Sequence, residues 1–491
     1  MNTTETPTSI PRARPVRRSP AELPFSFADR GLAQVLAAER EEPDWLRAER
    51  LAAWERFEAM PVEGNQLYTP YIDLRGASLA DVRPYVRTAS VPGPAPRRGS
   101  AVSPGSAPAT AGQAQLPDGL EGTAGLIELS EDTVTTLVLG DEAAAVGVTL
   151  ETFGAALARD SDGFRADIEG GSTLPANDKL AMLARGFWSQ GVRLVVPDGV
   201  RLDRPFLIRW RSSNPDRALI TRTIVRLGAG ASASLVEEQL ASGPPIECAE
   251  GETVPQGFFH GTTEVVLGDG ASLAMASIQD LPTSQVAFHH RHARIGEAAT
   301  LRWALAQLGG RLVRSRVDNR LEGDRSSVEQ VEIVFGGEEQ LFDLSSFTRH
   351  IGRDTTGNLL SKGALMDRSR SFMKGLITIE KSAVGTDSFL GEFGMNLSKS
   401  ARAVAIPSLE IDQPDCRRAM HSSSVGPIDA TQLFYLESRG IPPDEARKFI
   451  VLGFLEPVVA RVSLEAAQDL LRQLLEDKWA AGLAAATAAA A

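Results

Sequence analysis

The side chains of this chain best suited to binding a transition metal are its six histidines and two cysteines, because imidazole nitrogens and thiolates are common protein ligands of iron and zinc. Cys248 and Cys416 lie far apart and form no C-x-x-C pair. The sequence therefore supports neither a disulfide framework nor a metal site built only from this chain's cysteines. An iron–sulfur cluster normally takes four ligands, mostly thiolates, so we do not expect this chain to hold one alone.

The only cluster of histidines lies in the segment FHHRH, which contains His289, His290 and His292. On a β-strand, His290 and His292 point to the same side. The spacing permits a zinc or iron site, but a strand with an exposed face of histidine and arginine is the simpler interpretation. For His350 we expect a structural role as a hydrogen-bonded residue.

A longer pattern surrounds His421 and runs from residue 406 to 441, IPSLEIDQPDCRRAMHSSSVGPIDATQLFYLESRGI. Its fixed elements are P-x-LEI, the histidine followed by Val425-Gly426, the pair Ile428-Asp429, and LFYL with SRGI. Together with LLSKG at 359–363 upstream, this stretch resembles the C-terminal signature of the SufB/SufD family, the paired scaffold subunits of the SUF iron–sulfur cluster assembly machine. The resemblance is specific over residues 195 to 476 and weaker before them.

The resemblance implies a mainly β fold, with a right-handed parallel β-helix core flanked by N-terminal and C-terminal helical regions. It also implies that His421 is a ligand of a transient Fe–S cluster, shared across an interface with a SufB-like partner that contributes a cysteine. A neutral imidazole binds iron and releases it more readily than a thiolate, which suits a cluster that must be passed on. The alternative for His421 is a structural histidine that ends the last turn of the β-helix.

Departures from the family pattern indicate which of the two subunits the chain resembles. Glu392 stands at the place of the essential SufB cysteine, and His421 is followed by Ser422 where SufB has a glutamate. The chain is therefore more similar to SufD. Many SufD chains also carry a cysteine two residues before the histidine, where this chain has Ala419. Cys416 could replace that thiol through a bulge, but a buried inert cysteine is the simpler expectation.

The family resemblance further implies that a separate SufC-like ABC ATPase binds the C-terminal helices. No G-x-x-x-x-G-K-[ST] phosphate loop occurs in this chain, so we expect ATP hydrolysis in that partner and no catalytic residue here. Aromatic side chains in this region are too apolar to be left in solvent, and some of them should form a docking face. The candidate docking residues are Phe434, Tyr435, Arg439, Phe449 and Phe454.

Composition and periodicity divide the chain into segments. An amphipathic helix is predicted over 44–60. The segments at the start of the chain and around residue 100 are rich in proline and poor in large apolar residues, so they cannot form a packed core. We expect a disordered leader over 1–25, an N-terminal helical region over 26–90, a Pro/Gly/Ser/Ala-rich linker over 91–119, a mixed α/β region over 120–194, the β-helix core over 195–427, a C-terminal helical domain over 428–480 and a low-complexity tail over 481–491.

The core region shows short apolar segments separated by small residues at irregular intervals. Examples are LGAGAS at 227–232 and LGDGAS at 267–272. Small residues suit the tight corners between stacked turns of a solenoid. This pattern alone leaves a β-sandwich or barrel at nearly equal odds, and the family resemblance favours the β-helix.

Composition limits the remaining classes of function. The formal charge of −12 argues against a nucleic-acid partner, and no apolar run reaches the ~18 residues that a membrane-spanning helix needs. Without a secretory signal pattern, we expect a cytoplasmic protein. Two alternatives remain open: a homodimeric β-helix interaction protein with no cluster role, and a β-helix carbohydrate-active enzyme using carboxylate pairs such as Glu237-Glu238.

Overall fold

The computed structural model describes residues 25, 27–60, 77–79, 81–86, 122–169, 171–244 and 255–490. The linker expected over 91–119 lies outside the described residues, as do residues 1–24 of the expected leader and Cys248. None of the helices in these ranges is both long and apolar enough to cross a membrane.

Two long sheets face each other along the molecule, and the chain alternates between them. The first sheet has the order β19-β17-β15-β13-β11-β9-β7-β5-β4, with the short β1 beside β7. Its strands are β1 (Arg83–Pro84), β4 (Thr149–Thr152), β5 (Gln190–Val196), β7 (Arg217–Leu227), β9 (Gly257–Leu267), β11 (Gln285–Ile295), β13 (Leu312–Leu321), β15 (Leu341–His350), β17 (Arg370–Ile379) and β19 (Arg402–Ile411).

The second sheet has the order β20-β18-β16-β14-β12-β10-β8-β6-β2-β3. Its strands are β2 (Gly125–Ser130), β3 (Thr133–Leu139), β6 (Phe206–Arg211), β8 (Ser232–Leu240), β10 (Ser272–Asp280), β12 (Thr300–Gln307), β14 (Ser327–Gly336), β16 (Thr356–Leu365), β18 (Asp387–Asn396) and β20 (Arg418–Gly426). From β5 and β6 onward each strand pairs in parallel with the strand two places later, giving a solenoid of about eight turns. The predicted β-helix is confirmed.

The corners of the solenoid fall where the small-residue segments predicted them. Gly230 and Gly270 each have φ +67, and Ala298 takes the same left-handed conformation with φ 53. The backbone N–H of Gly230 donates to the Asp269 carbonyl at 2.8 Å, and that of Gly270 to the Glu297 carbonyl at 2.7 Å. Glycine adopts this conformation without strain, which explains its use in the first corners.

Alternate residues of each strand point into the solenoid and stack on their counterparts in neighbouring turns. One inward column consists of Leu235, Met275, Trp303, Gln330, Leu359, Leu390 and His421. The adjacent inward column is more polar and consists of Glu237, Ser277, Leu305, Glu332, Ser361, Glu392 and Ser423. Both columns end on β20, the last strand of the second sheet.

The helices near the N-terminus are α1 (Arg30–Glu39), α2 (Asp44–Ala59), α3 (Asp141–Ala145), α4 (Phe153–Arg159), α5 (Ser161–Glu169) and α6 (Lys179–Phe187). Apart from α3, they cover the outer face of the first sheet, whereas α3 packs through Ala143 on the core inside the solenoid. The α2 helix confirms the prediction over 44–60. Arg50 of α2 is buried, forms an ion pair with Glu42 at 2.7 Å and donates to the carbonyls of Gly186 and Trp188. These contacts fix α2 against α6.

Three helices follow the last strand: α7 (Ala430–Ser438), α8 (Pro443–Val459) and α9 (Glu465–Ala490). Asp429 caps α7 by accepting from the Thr431 N–H at 2.7 Å, and Pro443 opens α8 as expected of proline in a first turn. Apolar residues of α8 and α9, including Val451, Leu455 and Leu471, pack on the outer face of the second sheet.

Candidate functional site

The two ends of the solenoid are built differently. At one end, the antiparallel strands β3 and β4 lie outside β2 and β5. At the other end, among the described strands, β19 pairs only with β17 and β20 only with β18. The outer backbone edges of β19 and β20 are thus available for pairing with another chain. We call this the open end.

His421 lies on β20 at the open end. It is in register with Leu390 of β18, so it belongs to the inward-facing column, yet its side chain is exposed because no described strand stacks on the outer side of β20. Its imidazole makes no hydrogen bond to a described residue. An exposed imidazole with no hydrogen bond to a described residue can be reached by an incoming group.

Glu392 lies one strand inside the open end, in register with Ser423. The side chain is 1% exposed, and its Oε2 accepts from the Ile406 N–H of β19 at 2.7 Å. Burial raises the pKa of Glu392 to about 8, even though this hydrogen bond favours the charged form. The carboxyl group is therefore mostly protonated at neutral pH. The sequence singled out this position only as the place of the SufB cysteine.

Cys416 is half-buried and lies against a small apolar cluster at the open end. Its neighbours there include Leu359, Ile377 and Leu390 of the core, and Ala419 packs on the same cluster. An apolar environment of this kind is typical of a packing cysteine.

The FHHRH segment forms part of β11, and the expectation of an exposed histidine and arginine face is wrong. His289 points into the solenoid, where its ring lies 5.5 Å from that of the core residue Phe259, whereas His290 and His292 point outward with ring centroids 6.1 Å apart. All three are buried. The outward pair is covered by the segment that leads into α6, whose Asp178 lies 4.0 Å from His290 Nδ1.

His350 is a hydrogen-bonded residue of the solenoid, as predicted. Its Nδ1 lies 2.8 Å from Thr355 Oγ1 and its Nε2 3.1 Å from Ser388 Oγ. Burial lowers its pKa to about 4. Within the described part of the chain, no group of three or more His, Cys, Asp or Glu side chains is arranged to hold a metal ion.

The docking candidates lie on the C-terminal helices in two environments. Phe434 and Tyr435 of α7 and Phe449 of α8 are 71%, 56% and 58% exposed. The Arg439 guanidinium lies 5.3 Å from the centre of the Tyr435 ring. These four residues form an exposed surface that we call the aromatic patch.

Phe454 differs from the aromatic patch because it is half-buried against the second sheet. Lys362 of β16 lies 4.7 Å from its ring centre and donates to its carbonyl at 3.0 Å. A cleft of about 490 Å³ separates β18 and β20 from α7 and α8, with Phe393, Phe449 and Phe454 in its walls. The cleft connects the open end with the aromatic patch.

Fold and site together define a parallel β-solenoid protein with one open end, an exposed histidine on that end and helices carrying exposed aromatic residues. Residues 209–454, which make up half of the chain, match the family model "SUF system FeS cluster assembly, SufBD core domain". The chain belongs to the SufB/SufD family and has a role in iron–sulfur cluster assembly.

Individual relatives agree with this family. The chain is 29% identical over 301 residues to the iron–sulfur cluster assembly protein SufD of Bacillus subtilis, covering 61% of this chain and 67% of the relative. It is 33% identical over 227 residues to a SufBD family protein of Mycobacterium tuberculosis, covering 45% of this chain and 57% of that protein. A SufBD family protein of Staphylococcus haemolyticus is 24% identical over 453 residues, covering 91% and 92% of the two chains.

Proposed function

We propose that this chain is a SufD-like, non-catalytic scaffold subunit of a cytoplasmic iron–sulfur cluster assembly complex. The observation that carries the proposal is His421, an exposed and unengaged imidazole on the last strand of an open solenoid end. A SufB-like partner pairs with that end, and a transient Fe–S cluster is shared between the two chains. His421 supplies one ligand to this cargo, and the partner supplies thiolates.

The open end supports a partnership through the β-helix. Among the described strands, none pairs with the outer edges of β19 and β20, and both edges lie on the same end of the molecule. Exposed strand edges invite pairing with another chain. In this proposal the core over 195–427 carries the interface, and inward columns of the two solenoids meet end to end.

The aromatic patch supports a second partner. Phe434, Tyr435 and Phe449 expose more than half of their surface, and Arg439 stacks beside Tyr435. Aromatic residues and arginine are the side chains enriched at energetically important interface positions. We assign the C-terminal helical domain over 428–480 to docking of a SufC-like ABC ATPase, which hydrolyses ATP for the complex.

Co-expression with a SufB-like and a SufC-like subunit tests this proposal. We expect one complex of all three on size exclusion with light scattering. Met420→Lys places a charge on the exposed outward face of β20 and should weaken the interaction with the SufB-like subunit. Leu137→Lys, on the exposed β3 strand at the other end, is the matched control and should have no effect. A homodimer that excludes the SufB-like subunit and accumulates no iron would contradict the proposal.

A further inference from the structure

A row of three buried histidines lies outside the site described above. His260 of β9 and His290 and His292 of β11 point outward from the first sheet and are almost completely buried. The rings of His260 and His290 are 5.4 Å apart, and those of His290 and His292 are 6.1 Å apart. We call these residues the histidine row.

The α6 helix lies on this row through its first turn. His260 Nε2 is 2.9 Å from the Leu180 carbonyl oxygen of α6, and Nδ1 is 3.2 Å from the Phe288 carbonyl oxygen. A neutral imidazole has one N–H, so it can donate to only one of these acceptors. Neither ring nitrogen of His290 has a hydrogen-bond partner among the described residues, and His292 Nε2 has none there either.

Carboxylates close to the row are already engaged. Arg316 donates to Asp178 at 2.6 Å and to Asp318 at 2.7 Å, while Glu264 is paired with Arg222. Asp318 Oδ2 is 3.3 Å from His292 Nδ1. The charged groups facing the row from the packed elements are Asp178, Glu264, Arg314, Arg316 and Asp318.

Asp178 connects the row to the start of α6. Its Oδ1 accepts from the Ala181 N–H at 2.8 Å and so caps the helix, and the same oxygen lies 4.0 Å from His290 Nδ1. A positive charge on His290 would compete with the helix for this oxygen and would lie near Arg314 and Arg316. Protonation of His290 would therefore place a destabilising buried charge in the histidine row and weaken the N-terminal cap of α6.

We propose that the histidine row is an acid-sensitive latch that holds α6 on the β-solenoid and releases it when the row takes up a proton. Arg50 of α2 donates to the carbonyls of Gly186 and Trp188 at the end of α6. The two helices therefore open as one unit, before the solenoid itself unfolds.

The sign of the pH effect follows from burial, which lowers the pKa of all three histidines. The released form exposes imidazoles with a pKa of about 6.5, so it binds more protons than the latched form. The latch is at full strength above this value and weakens as the pH falls below it. Each histidine that takes up a proton on release increases the equilibrium constant for opening about 10-fold between pH 7.5 and 5.5.

Hydrogen–deuterium exchange of the full-length chain, corrected for intrinsic rates, tests the latch. We expect protection of α6 and α2 to fall at least about 10-fold between pH 7.5 and 5.5, because at least one histidine titrates. In His290→Leu, the loss of protection between pH 7.5 and 5.5 should be about 10-fold smaller than in the wild type. The substitution breaks no hydrogen bond between the imidazole and a described residue. His289→Leu is the matched control. His289 directly precedes His290, is also buried and has no hydrogen-bond partner among the described residues, but its ring lies inside the solenoid, 5.5 Å from that of Phe259.

Equal acid sensitivity of α6 in the His290→Leu variant and the wild type would overturn the proposal. If that variant does not fold, exchange of the imidazole C2 hydrogens in the wild-type chain provides the second measurement. We expect exchange at His290, measured relative to free histidine at the same pH, to rise at pH 5.5 together with the α6 amides while the solenoid amides stay protected. Continued protection of His290 while α6 opens would equally rule out the latch.

Discussion

His421 and Glu392 lie on neighbouring strands of the open end, but their environments suit different roles. His421 is exposed and unengaged on β20, where an incoming chain can reach it. Glu392 is buried on β18 and joins it to β19 through the Ile406 N–H. Because its pKa is raised to about 8, Glu392 is a neutral structural link at physiological pH and not a ready anionic ligand.

Replacing Glu392 with glutamine should make the stability of the open end less dependent on pH. A carboxyl group whose folded pKa is raised stabilises the fold below its unfolded pKa and loses that stability as the pH rises toward about 8. The free energy of unfolding of Glu392→Gln relative to wild type should therefore increase by about 1.4 kcal/mol per pH unit between roughly 4.5 and 8. Denaturant titrations at several pH values measure this difference.

The exposed Glu410 on β19 provides the control. Glu410→Gln should change stability by no more than about 0.5 kcal/mol at any of these pH values. A difference between Glu392→Gln and wild type that does not vary with pH would show that Glu392 is not held neutral in the fold.

At the scale of elements, α8 and α9 have two jobs. One face covers the apolar outer surface of the second sheet, including Leu207, Ile278 and Phe335. The exposed face of α8, together with α7, carries the aromatic patch. Deleting residues 428–480 would therefore uncover the sheet as well as remove the patch, and the loss of ATPase binding could then result from aggregation. Substitutions in the patch separate these effects.

The double substitution Phe434→Ala and Phe449→Ala should weaken binding of the SufC-like ATPase by 10-fold or more, which corresponds to at least about 1.4 kcal/mol. Stability should change little, because both rings are exposed in the free chain. Val146→Ala removes an exposed apolar side chain far from the patch and is the control. Calorimetric titration of the ATPase with the wild-type chain, the double variant and the Val146→Ala control gives the comparison. Unchanged affinity of the double variant would place the docking surface elsewhere.

The sequence predicted some elements well because their signals are local. Small residues marked the corners near Gly230 and Gly270, and the spacing of apolar residues marked the helix α2. The environment of His290 and His292 could not be predicted in the same way. Strand periodicity shows that they share a face, but the helix that covers this face comes from a segment more than 100 residues earlier. Similarly, local pattern could not show that Glu392 is buried, since its environment depends on stacking of β18 against β19.

At the scale of the whole molecule, the two ends of the solenoid differ in structure. Antiparallel strands close one end, and the N-terminal helices cover the outer face near it. The open end and the aromatic patch lie toward the other end and are joined by the cleft between β20 and α8. This arrangement allows two partners to bind the same half of the chain side by side, as the proposed complex requires.

The most direct measurement of the central claim is the iron and acid-labile sulfide content of the assembled complex with His421→Ala. We expect cluster content to fall while complex formation is kept and the change in unfolding free energy stays within about 0.5 kcal/mol, because the imidazole is exposed. Ser422→Ala, on the outward side of the same strand, should retain full cluster content. Unchanged iron and sulfide in His421→Ala, with a large loss of melting temperature, would contradict the ligand role and indicate a structural histidine.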